Sequence, residues 1–400
     1  MQDRIDVIVI GGGYAGVAAA NRLTANRRVD VTLINPRPVF VERIRLHQLV
    51  TGSDDAVVDF GEVLAPSVHL VVDAVERIDT ARRRVELAGG GAAEYDYLVY
   101  AAGSGGAVAD VPGAREHALA IAGLADAERL RTALAAVAGD APITVVGAGP
   151  AGIEVAAELA EQGRTVALLS GGQLGPSLHP RARRSVARRL AALGVALYDG
   201  PGSRVVTVAQ DAVGLADART LTSAVTIWTT GFSVPDLARR SGLSTDPEGR
   251  LLTDETLTSV DDERIVAAGD SASPSGAPLR MSCQAAGPLG GHAADTVLRR
   301  VEGREPEPFV MGFVGLCLSL GRRHGVFQFE HRDDTATAVR IDGRAGAVVK
   351  ELVCRSTVQQ LAIEARHPGA TRLPAAFGDR ARRRSLATGV LQTSVNEGRG

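Results

Sequence analysis

The sequence repeats one glycine pattern, and each copy lies between a short apolar run and a run with helical spacing. GGGYAG follows IDVIVI, and GAGPAG follows ITVV. A β-branched run, a GxGxxG turn and a helical run together indicate a βαβ unit that binds a dinucleotide. The first glycine permits the tight turn, the second lets a pyrophosphate approach the backbone, and the third allows close helix–strand packing. The glycines are Gly11, Gly13 and Gly16 in the first copy and Gly147, Gly149 and Gly152 in the second.

The composition argues against several other classes of function. A net charge of −2 and an aromatic content of 4% give no support for nucleic-acid binding. Cys283, Cys317 and Cys354 form no CxxC pair, so no local redox disulfide or zinc site is predicted. The histidines have no ligand-like spacing, and we predict no metal site. With 400 residues, the chain is expected to form two or three domains.

No segment of the sequence predicts a membrane span. The most apolar late stretch, FVMGFVGLCLSLG, covers only residues 309–321, whereas a spanning helix needs about 20 residues. The tail FGDRARRRSLATGVLQTSVNEGRG is basic and then mildly polar, with no broad apolar face. We therefore expect a soluble, cytoplasmic protein with at most weak peripheral contact with the cytoplasmic face of a membrane.

Four landmarks follow one another in a characteristic order. They are the first GxGxxG, YDYLVYAAG at 95–103, the second GxGxxG and RIVAAGDSA at 264–272. Together they resemble the flavoproteins with two dinucleotide-binding domains, the pyridine nucleotide–disulfide oxidoreductase superfamily. Within it, GAGPAGIEVAAEL and LCLSLGRRHGVFQF resemble the branch of type II NADH dehydrogenases and apoptosis-inducing-factor-like proteins.

The resemblance implies an α/β fold with two Rossmann-like domains and a small α+β C-terminal domain. The first domain is expected to bind FAD and to be discontinuous, over residues 1–112 and 236–305. The inserted domain, 113–235, is expected to bind NADH or NADPH. Residues 306–400, in which a hairpin and a helix are expected, would form a C-terminal cap or interface domain with a polar tail.

The resemblance also implies which residues hold FAD. Asp270 is expected on the ribityl chain, where a carboxylate suits hydroxyl donors, although it could instead cap a helix. The helix that begins within RMSCQAAGPLGGH, 280–292, is expected to point its N-terminus at the isoalloxazine ring and stabilise the anionic reduced flavin. Further FAD-binding residues are expected at Tyr14, Ala15, Asn35, Arg37, Arg43, Val75, Ala102, Gly103 and Gly269.

Two residues are expected to take part in catalysis. Glu154 is placed by the resemblance near the nicotinamide and the flavin, where it could orient the carboxamide or relay a proton. It could also simply complement the helix dipole. Gln284 is a candidate near the ring and the acceptor, or an ordinary polar residue of a helix. Ser170 and Gly231, the latter in WTTG, are expected to bind NAD(P)H; WTTG also fits a turn that ends a strand.

The chain departs from the family pattern at three places. Asn35 and Ser170 end strands where an acid usually accepts hydrogen bonds from a ribose. Asparagine still accepts, but serine does not repel a 2′-phosphate, so NADPH stays open. Residues 40–52, FVERIRLHQLVTG, contain no cysteine pair where disulfide reductases carry one. Electrons are therefore expected to leave the flavin directly.

Several basic residues have two possible roles. Arg181, Arg183 and Arg184 could reach a 2′-phosphate, although the solvated face of a helix is their more ordinary use. Arg43 and His47 could line the flavin or acceptor channel, and His47 could act as an acid. A packed or surface histidine is the ordinary alternative.

The resulting hypothesis is hydride transfer from nicotinamide C4 to flavin N5, with the rings stacked between the two domains and the cofactors carrying the chemistry. The flavin is then expected to pass electrons to a quinone-like acceptor. Two alternatives stay open, a reductase of a ferredoxin-type protein and a redox-sensing FAD/NADH-binding protein with little turnover. The partner is thus a small-molecule acceptor or a small electron-transfer protein. The sequence does not decide whether the chain forms a homodimer.

Overall fold

The first glycine motif joins a buried strand to a helix, as the sequence predicts. The structure is a computed structural model that describes residues 4–107, 110–374 and 377–387. The last four residues of IDVIVI are buried, and Gly13 caps the helix that follows. The elements of this part are β1 (Ile5–Ile10), α1 (Tyr14–Leu23), β2 (Val29–Asn35), β3 (Val39–Val41), α2 (Leu46–Thr51), β4 (Val57–Asp59), α3 (Phe60–Val63), β5 (His69–Val72), β6 (Val75–Asp79), β7 (Arg84–Leu87), β8 (Ala92–Glu94), β9 (Tyr97–Tyr100) and β10 (Gly105–Gly106).

The second motif is built in the same way in the middle of the chain. ITVV is buried throughout, and Gly149 caps a helix whose first residue is Pro150, a position where proline removes no helical hydrogen bond. The elements are α4 (Ala114–His117), β11 (Ala118–Ala120), α5 (Leu124–Ala135), β12 (Ile143–Val146), α6 (Pro150–Glu161), β13 (Val166–Leu169), α7 (Pro180–Ala192), β14 (Ala196–Tyr198), β15 (Val205–Val208), β16 (Ala212–Leu215), β17 (Thr220–Thr222), β18 (Val225–Trp228), β19 (Phe232–Ser233) and α8 (Leu237–Arg240).

The last part of the chain adds one long helix, a hairpin that a third strand extends, and a second long helix. The hairpin and the helix expected after residue 306 are both present. The elements are β20 (Leu251–Thr253), β21 (Ile265–Ala267), β22 (Ala272–Pro274), α9 (Cys283–Val301), β23 (Gly315–Ser319), β24 (Gly325–Glu330), β25 (Ala336–Asp342), α10 (Gly343–Arg366) and α11 (Arg380–Ala387). Three short 3₁₀ helices cover Arg43–Arg45, Pro201–Ser203 and Gly269–Ser271.

Two parallel five-stranded sheets carry the two motifs. The first has the order β21-β9-β1-β2-β5, and the second has the order β11-β18-β12-β13-β14. The predicted α/β fold class with two Rossmann-like units is confirmed. β21 returns from late in the chain to pair with β9, which a discontinuous first domain requires. The bounds 1–112, 113–235, 236–305 and 306–400 stay a prediction.

The chain crosses between the two sheets twice, and the two crossing segments pair with each other. β10 leaves the first sheet and β19 leaves the second, and they form a short antiparallel ribbon in which Gly105 pairs with Ser233. β9 and β18, the strands that precede β10 and β19, pair with β1 and β12, the strands before the two glycine turns.

The C-terminal unit packs against the helices that follow both glycine motifs. The antiparallel sheet β23-β24-β25 places β23 on α6, while α10 lies on β24 and on α1. The described part of the chain has no helix with the length and apolar character that a membrane crossing requires. Residues 388–400, most of the expected polar tail, lie outside the described residues.

Candidate functional site

The two glycine loops have the same geometry. Gly11 and Gly147 have φ values of +100° and +105°, which favour glycine. A Cβ at Gly16 would lie 1.8 Å from the Gly11 carbonyl oxygen, and Gly152 stands in the same relation to Gly147. At Gly13 and Gly149, a Cβ would meet nothing within 4 Å. The middle glycine of each loop therefore faces open space at a helix N-terminus, where a pyrophosphate can bind.

A pocket of about 100 Å³ lies over the first loop. Gly13, Arg37 and Arg43 are among the residues that line it. Asp270 stands beside Arg43, with 3.5 Å between its Oδ2 and Arg43 Nη1, and it accepts a hydrogen bond of 2.6 Å from Ser104 Oγ. The open glycine cradle, an arginine and a carboxylate fit the phosphate and hydroxyl groups of FAD.

Asn35 holds the glycine loop from within the protein. Its Oδ1 accepts from the Gly12 backbone N–H at 2.9 Å, and its Nδ2 donates to the Arg37 carbonyl at 2.7 Å. The side chain is buried, whereas Arg37 is exposed at the rim of the pocket. Asn35 therefore shapes the loop, and its carbonyl oxygen has one lone pair left for a ribose.

The other predicted FAD-binding residues are spread around this crevice. Gly103 has φ +69° and donates from its backbone N–H to Ser271 Oγ at 3.3 Å, next to Asp270. Tyr14 is buried, and its ring meets the edge of Phe40 at a centroid distance of 5.0 Å. Ala15 contacts Gly269 and Gly290. Ala102 and Val75 pack on the core between the first sheet and the β6–β8 meander. Their contacts with FAD stay a prediction.

The second crevice has no acid at the end of β13. Ser170 Oγ accepts from the Gly172 backbone N–H at 3.3 Å, and Gly231, with φ +81°, approaches the Ala107 carbonyl. Of the three arginines in the first turns of α7 that could reach a 2′-phosphate, Arg181 and Arg184 are exposed, as a solvated face would be. Arg183 instead donates to the carbonyls of Leu174, Gly175 and Leu178, so it holds the loop after β13.

Glu154 is buried beneath the C-terminal unit. Its Oε1 lies 2.9 Å from Lys350 Nζ and accepts from the Ser319 backbone N–H at 2.9 Å. Burial alone would lower the pKa of Lys350, but the Glu154 carboxylate outweighs it and raises that pKa above its ordinary value. Lys350 therefore stays charged, and it fixes the Glu154 carboxylate in place.

Gln284 and the three cysteines lie around the same interior. With its amide oriented to satisfy both groups, Gln284 donates to the Gly315 carbonyl at 3.0 Å and accepts from the Val314 N–H at 2.8 Å. Gln284 thus ties the first turn of α9 to the C-terminal unit, and its role toward an acceptor stays a prediction. Each cysteine is close enough to Lys350 for that charge to act on its thiol.

The cysteine thiols are not nucleophiles at neutral pH. Burial raises the pKa of Cys283 to about 11 and that of Cys354 to about 12, and it also raises the pKa of Cys317. All three cysteines are free. Among the described residues, no group of three His, Cys, Asp or Glu side chains is placed to hold a metal ion.

Sequence reasoning missed the partners that the C-terminal unit brings to Glu154. Lys350 and Ser319 lie far along the chain from Glu154, so no local pattern links them to it. One signal was present: Lys350 is the only lysine among 44 basic residues. The sequence pattern also assigns no role to Ser104, which directly follows YDYLVYAAG and binds Asp270.

Comparison with known proteins agrees with this geometry. The chain is 31% identical to an NADH dehydrogenase-like protein of Mycobacterium tuberculosis, over 73% of this chain and 80% of that protein. It is 26% identical to a type II NADH:quinone oxidoreductase of Staphylococcus epidermidis, over 90% and 96% of the two chains. The fold is similar to that of the sulfide:quinone oxidoreductase of Aquifex aeolicus, with a TM-score of 0.73 and 17% identity over 90% of this chain and 92% of that one.

A family model extends over most of the chain. The model of the pyridine nucleotide-disulphide oxidoreductases matches residues 5–290, which include both glycine motifs, Glu154 and Asp270. The predicted superfamily and the predicted class of enzyme are confirmed. The chain belongs to the pyridine nucleotide-disulphide oxidoreductase family.

Proposed function

We propose that the chain is an FAD-dependent NAD(P)H oxidoreductase that passes electrons to a quinone-like acceptor. The observation that carries this proposal is the position of Glu154. It comes from the helix of the second glycine motif, yet it is buried against β23 and α10, which also pack near the start of α9. This position supports a role for the carboxylate between the two nucleotide-binding units.

The chain's own residues bind and orient the two nucleotides. The open faces at Gly13 and Gly149 admit the two pyrophosphates to helix N-termini, and Asp270 with Arg43 binds the hydroxyl-rich part of FAD. When bound, FAD supplies the two-electron chemistry. The first turn of α9, which Gln284 ties to Val314 and Gly315, presents backbone N–H groups toward the crevice and favours negative charge there.

A quinone-like acceptor is favoured over a disulfide. Residues 40–52 contain no cysteine pair, and the three thiols near Lys350 have raised pKa values, so they remain protonated. Relatives of this chain include proteins named type II NADH:quinone oxidoreductase. We also propose that the protein works in the cytoplasm, with at most weak peripheral contact with a membrane.

Stopped-flow kinetics test this function. The purified protein should be yellow, and NADH or NADPH should bleach the flavin rapidly under anaerobic conditions. A soluble quinone should then restore the colour faster than ferredoxin or oxygen does. Rapid bleaching without acceleration by any quinone would refute the quinone proposal, whereas a colourless protein that FAD cannot reconstitute would refute the flavoenzyme proposal itself.

Asp270→Ala tests the FAD site, and Asp246→Ala is its matched control. Removing the carboxylate that faces Arg43 and Ser104 should lower the FAD content of the purified protein. Asp246→Ala, at a carboxylate outside the crevice that pairs with Arg250, should leave the FAD content unchanged.

A further inference from the structure

His47 lies between two carboxylates of one helix face. Its Nδ1 is 3.6 Å from Glu154 Oε2, and its Nε2 is 3.4 Å from Glu158 Oε1. Glu154 and Glu158 are one turn apart on α6, so they lie on the same face. The ring is 4% exposed, and within the described residues its Nε2 has no partner at hydrogen-bond geometry. His47 is therefore neither a surface residue nor an ordinary packed one.

Glu154, His47 and Glu158 form a row of three side chains. The Glu158 end of this row reaches the protein surface. Glu158 Oε2 accepts from Thr51 Oγ1 at 2.9 Å and from Ser53 Oγ at 3.4 Å, and Ser53 is exposed. Glu158 Oε1 accepts from Arg322 Nη1 at 3.2 Å, and the Arg322 side chain is 41% exposed. Solvent protons can therefore approach the row at this end.

The Glu154 end lies in the interior. Lys350 and the Ser319 N–H both bind Oε1, which leaves Oε2 facing His47. Lys350 is close to Cys283, the first residue of α9. The inner end of the row thus lies beside the helix start that we assign to the flavin crevice.

We propose that His47 carries a proton from the surface to Glu154 during reduction of the acceptor. This inference rests on the proposed function. A quinone takes up two electrons and two protons when it becomes a quinol, and NADH supplies the two electrons with one proton as a hydride. One further proton must come from solvent. It binds at His47 Nε2 while Nδ1 releases its proton to Glu154 Oε2, and Glu154 passes it to the acceptor oxygen.

The ring resets after each transfer. It is left with its proton on Nε2, and a half-turn about the Cβ–Cγ bond brings Nε2 to the side of Glu154 and Nδ1 to the side of Glu158. The contacts of 3.4 and 3.6 Å are long or poorly aligned for hydrogen bonds, but proton-transfer contacts are often so before substrate binds.

Glu158 is a positioning residue in this scheme. Burial alone would raise the pKa of Glu158, but its contacts with His47, Thr51 and Arg322 lower that pKa to about 2. Glu158 therefore stays ionised and keeps an acceptor oxygen facing His47 Nε2. The charged and titratable groups that face the ring are Glu154 and Glu158 on α6, with Lys350 and Arg322 behind them.

Two acceptors separate proton transfer from structural support. His47→Gln should reduce its flavin with NADH within twofold of the unmodified rate, because hydride transfer needs no added proton. Its reoxidation by a soluble quinone should slow by at least about tenfold, because a general acid typically contributes roughly 10²-fold or more to a rate. This reoxidation should also show a larger solvent deuterium isotope effect. Reoxidation by ferricyanide, which takes up electrons without protons, should not change.

His292→Gln is the matched control. His292 lies on α9, where its Nε2 contacts the Glu307 carbonyl at 2.8 Å, outside the row. It should match the unmodified protein with both acceptors. FAD content and melting temperature should be measured for each variant, so that a general loss of structure is recognised.

Protonation of the ring can be followed without turnover. In ¹⁵N-histidine-labelled protein, the His47 signals are those that disappear in His47→Gln. We expect signals from both the Nδ1–H and the Nε2–H tautomer, because the ring passes its proton from the side of Glu158 to the side of Glu154. A ring fixed in one tautomer would overturn the proposal.

The kinetic outcomes separate the two proposals. If His47→Gln slows flavin reoxidation by quinone and by ferricyanide equally, or slows neither, His47 carries no proton, and the proposed quinone reductase function is unaffected. If no quinone reoxidises the unmodified protein, the proposed function fails and the role of His47 falls with it.

Discussion

Lys350 Nζ lies 2.9 Å from Glu154 Oε1, and the two side chains are buried at 5% and 6% exposure. The pair joins α10 of the C-terminal unit to the helix that follows the second glycine motif. A buried charge without its partner is costly, so this contact makes the two parts depend on one another.

Lys350→Met should lower the free energy of unfolding by about 3–5 kcal/mol, since it leaves the Glu154 carboxylate buried and unpaired. Adding Glu154→Gln should restore part of this loss, because the amide carries no charge. Urea unfolding of the two single variants and the double variant measures the coupling. Arg4→Met, which breaks an exposed pair with Asp30, should cost about 1 kcal/mol or less. Strictly additive losses at 350 and 154 would contradict the coupling.

Glu158 should make the folded protein sensitive to acid. Its pKa is lowered from 4.5 to about 2, so Glu158 stabilises the folded state above about pH 4.5, and this stabilisation is lost as the pH falls toward 2. Glu158→Gln should therefore reduce stability at pH 7 by on the order of 3 kcal/mol. Melting temperatures should show the gap between the two proteins narrowing below pH 4.5, and a gap of constant size would contradict the shift.

The three glycines of each loop should respond differently to alanine. Gly16→Ala places a Cβ 1.8 Å from a carbonyl oxygen and should destabilise the protein even without FAD. Gly13→Ala meets no protein atom within 4 Å, and with φ −85° it should fold normally yet lose FAD. Gly149→Ala should retain FAD and weaken NADH binding. Melting temperature, FAD content and NADH titration separate these cases; equal loss of stability at 13 and 16 would argue against an open cradle.

Ser170→Glu should separate NADPH from NADH. An acid at the end of β13 repels a 2′-phosphate, so the KM for NADPH should rise by roughly tenfold, which corresponds to about 1.4 kcal/mol. The KM for NADH should change little. Ser170→Gln keeps a similar size without the charge and serves as the control. Equal effects of the two substitutions on NADPH would show that size, not charge, decides.

The parts of this fold that rest on local patterns could be predicted from the sequence. Gly11 and Gly147 adopt positive φ, and Gly16 and Gly152 meet a carbonyl, as the glycine spacing requires. The apolar run before Asp270 forms the strand β21. Each of these features depends on residues within one βαβ unit or one motif.

The parts of the fold and the site that rest on distant contacts could not be predicted from the sequence. The Asn35 amide also binds Gly12 and Arg37, and only the three-dimensional course of the loop decides these contacts; its contact with a ribose stays a prediction. Arg183 was expected on a solvated face, yet it binds three carbonyls of the loop before its helix. His47 becomes informative only when α2 is packed against α6, because its partners are more than 100 residues away.

The single buried lysine has a practical consequence for experiments on this protein. Amine-directed labels and cross-linkers find no accessible lysine side chain on the native molecule, since Lys350 is enclosed by α6, β23 and α10. Any lysine modification therefore reports a moment when the C-terminal unit has separated from the rest. Mass spectrometry of the peptide that contains residue 350, collected over time, would give the frequency of that opening from one site.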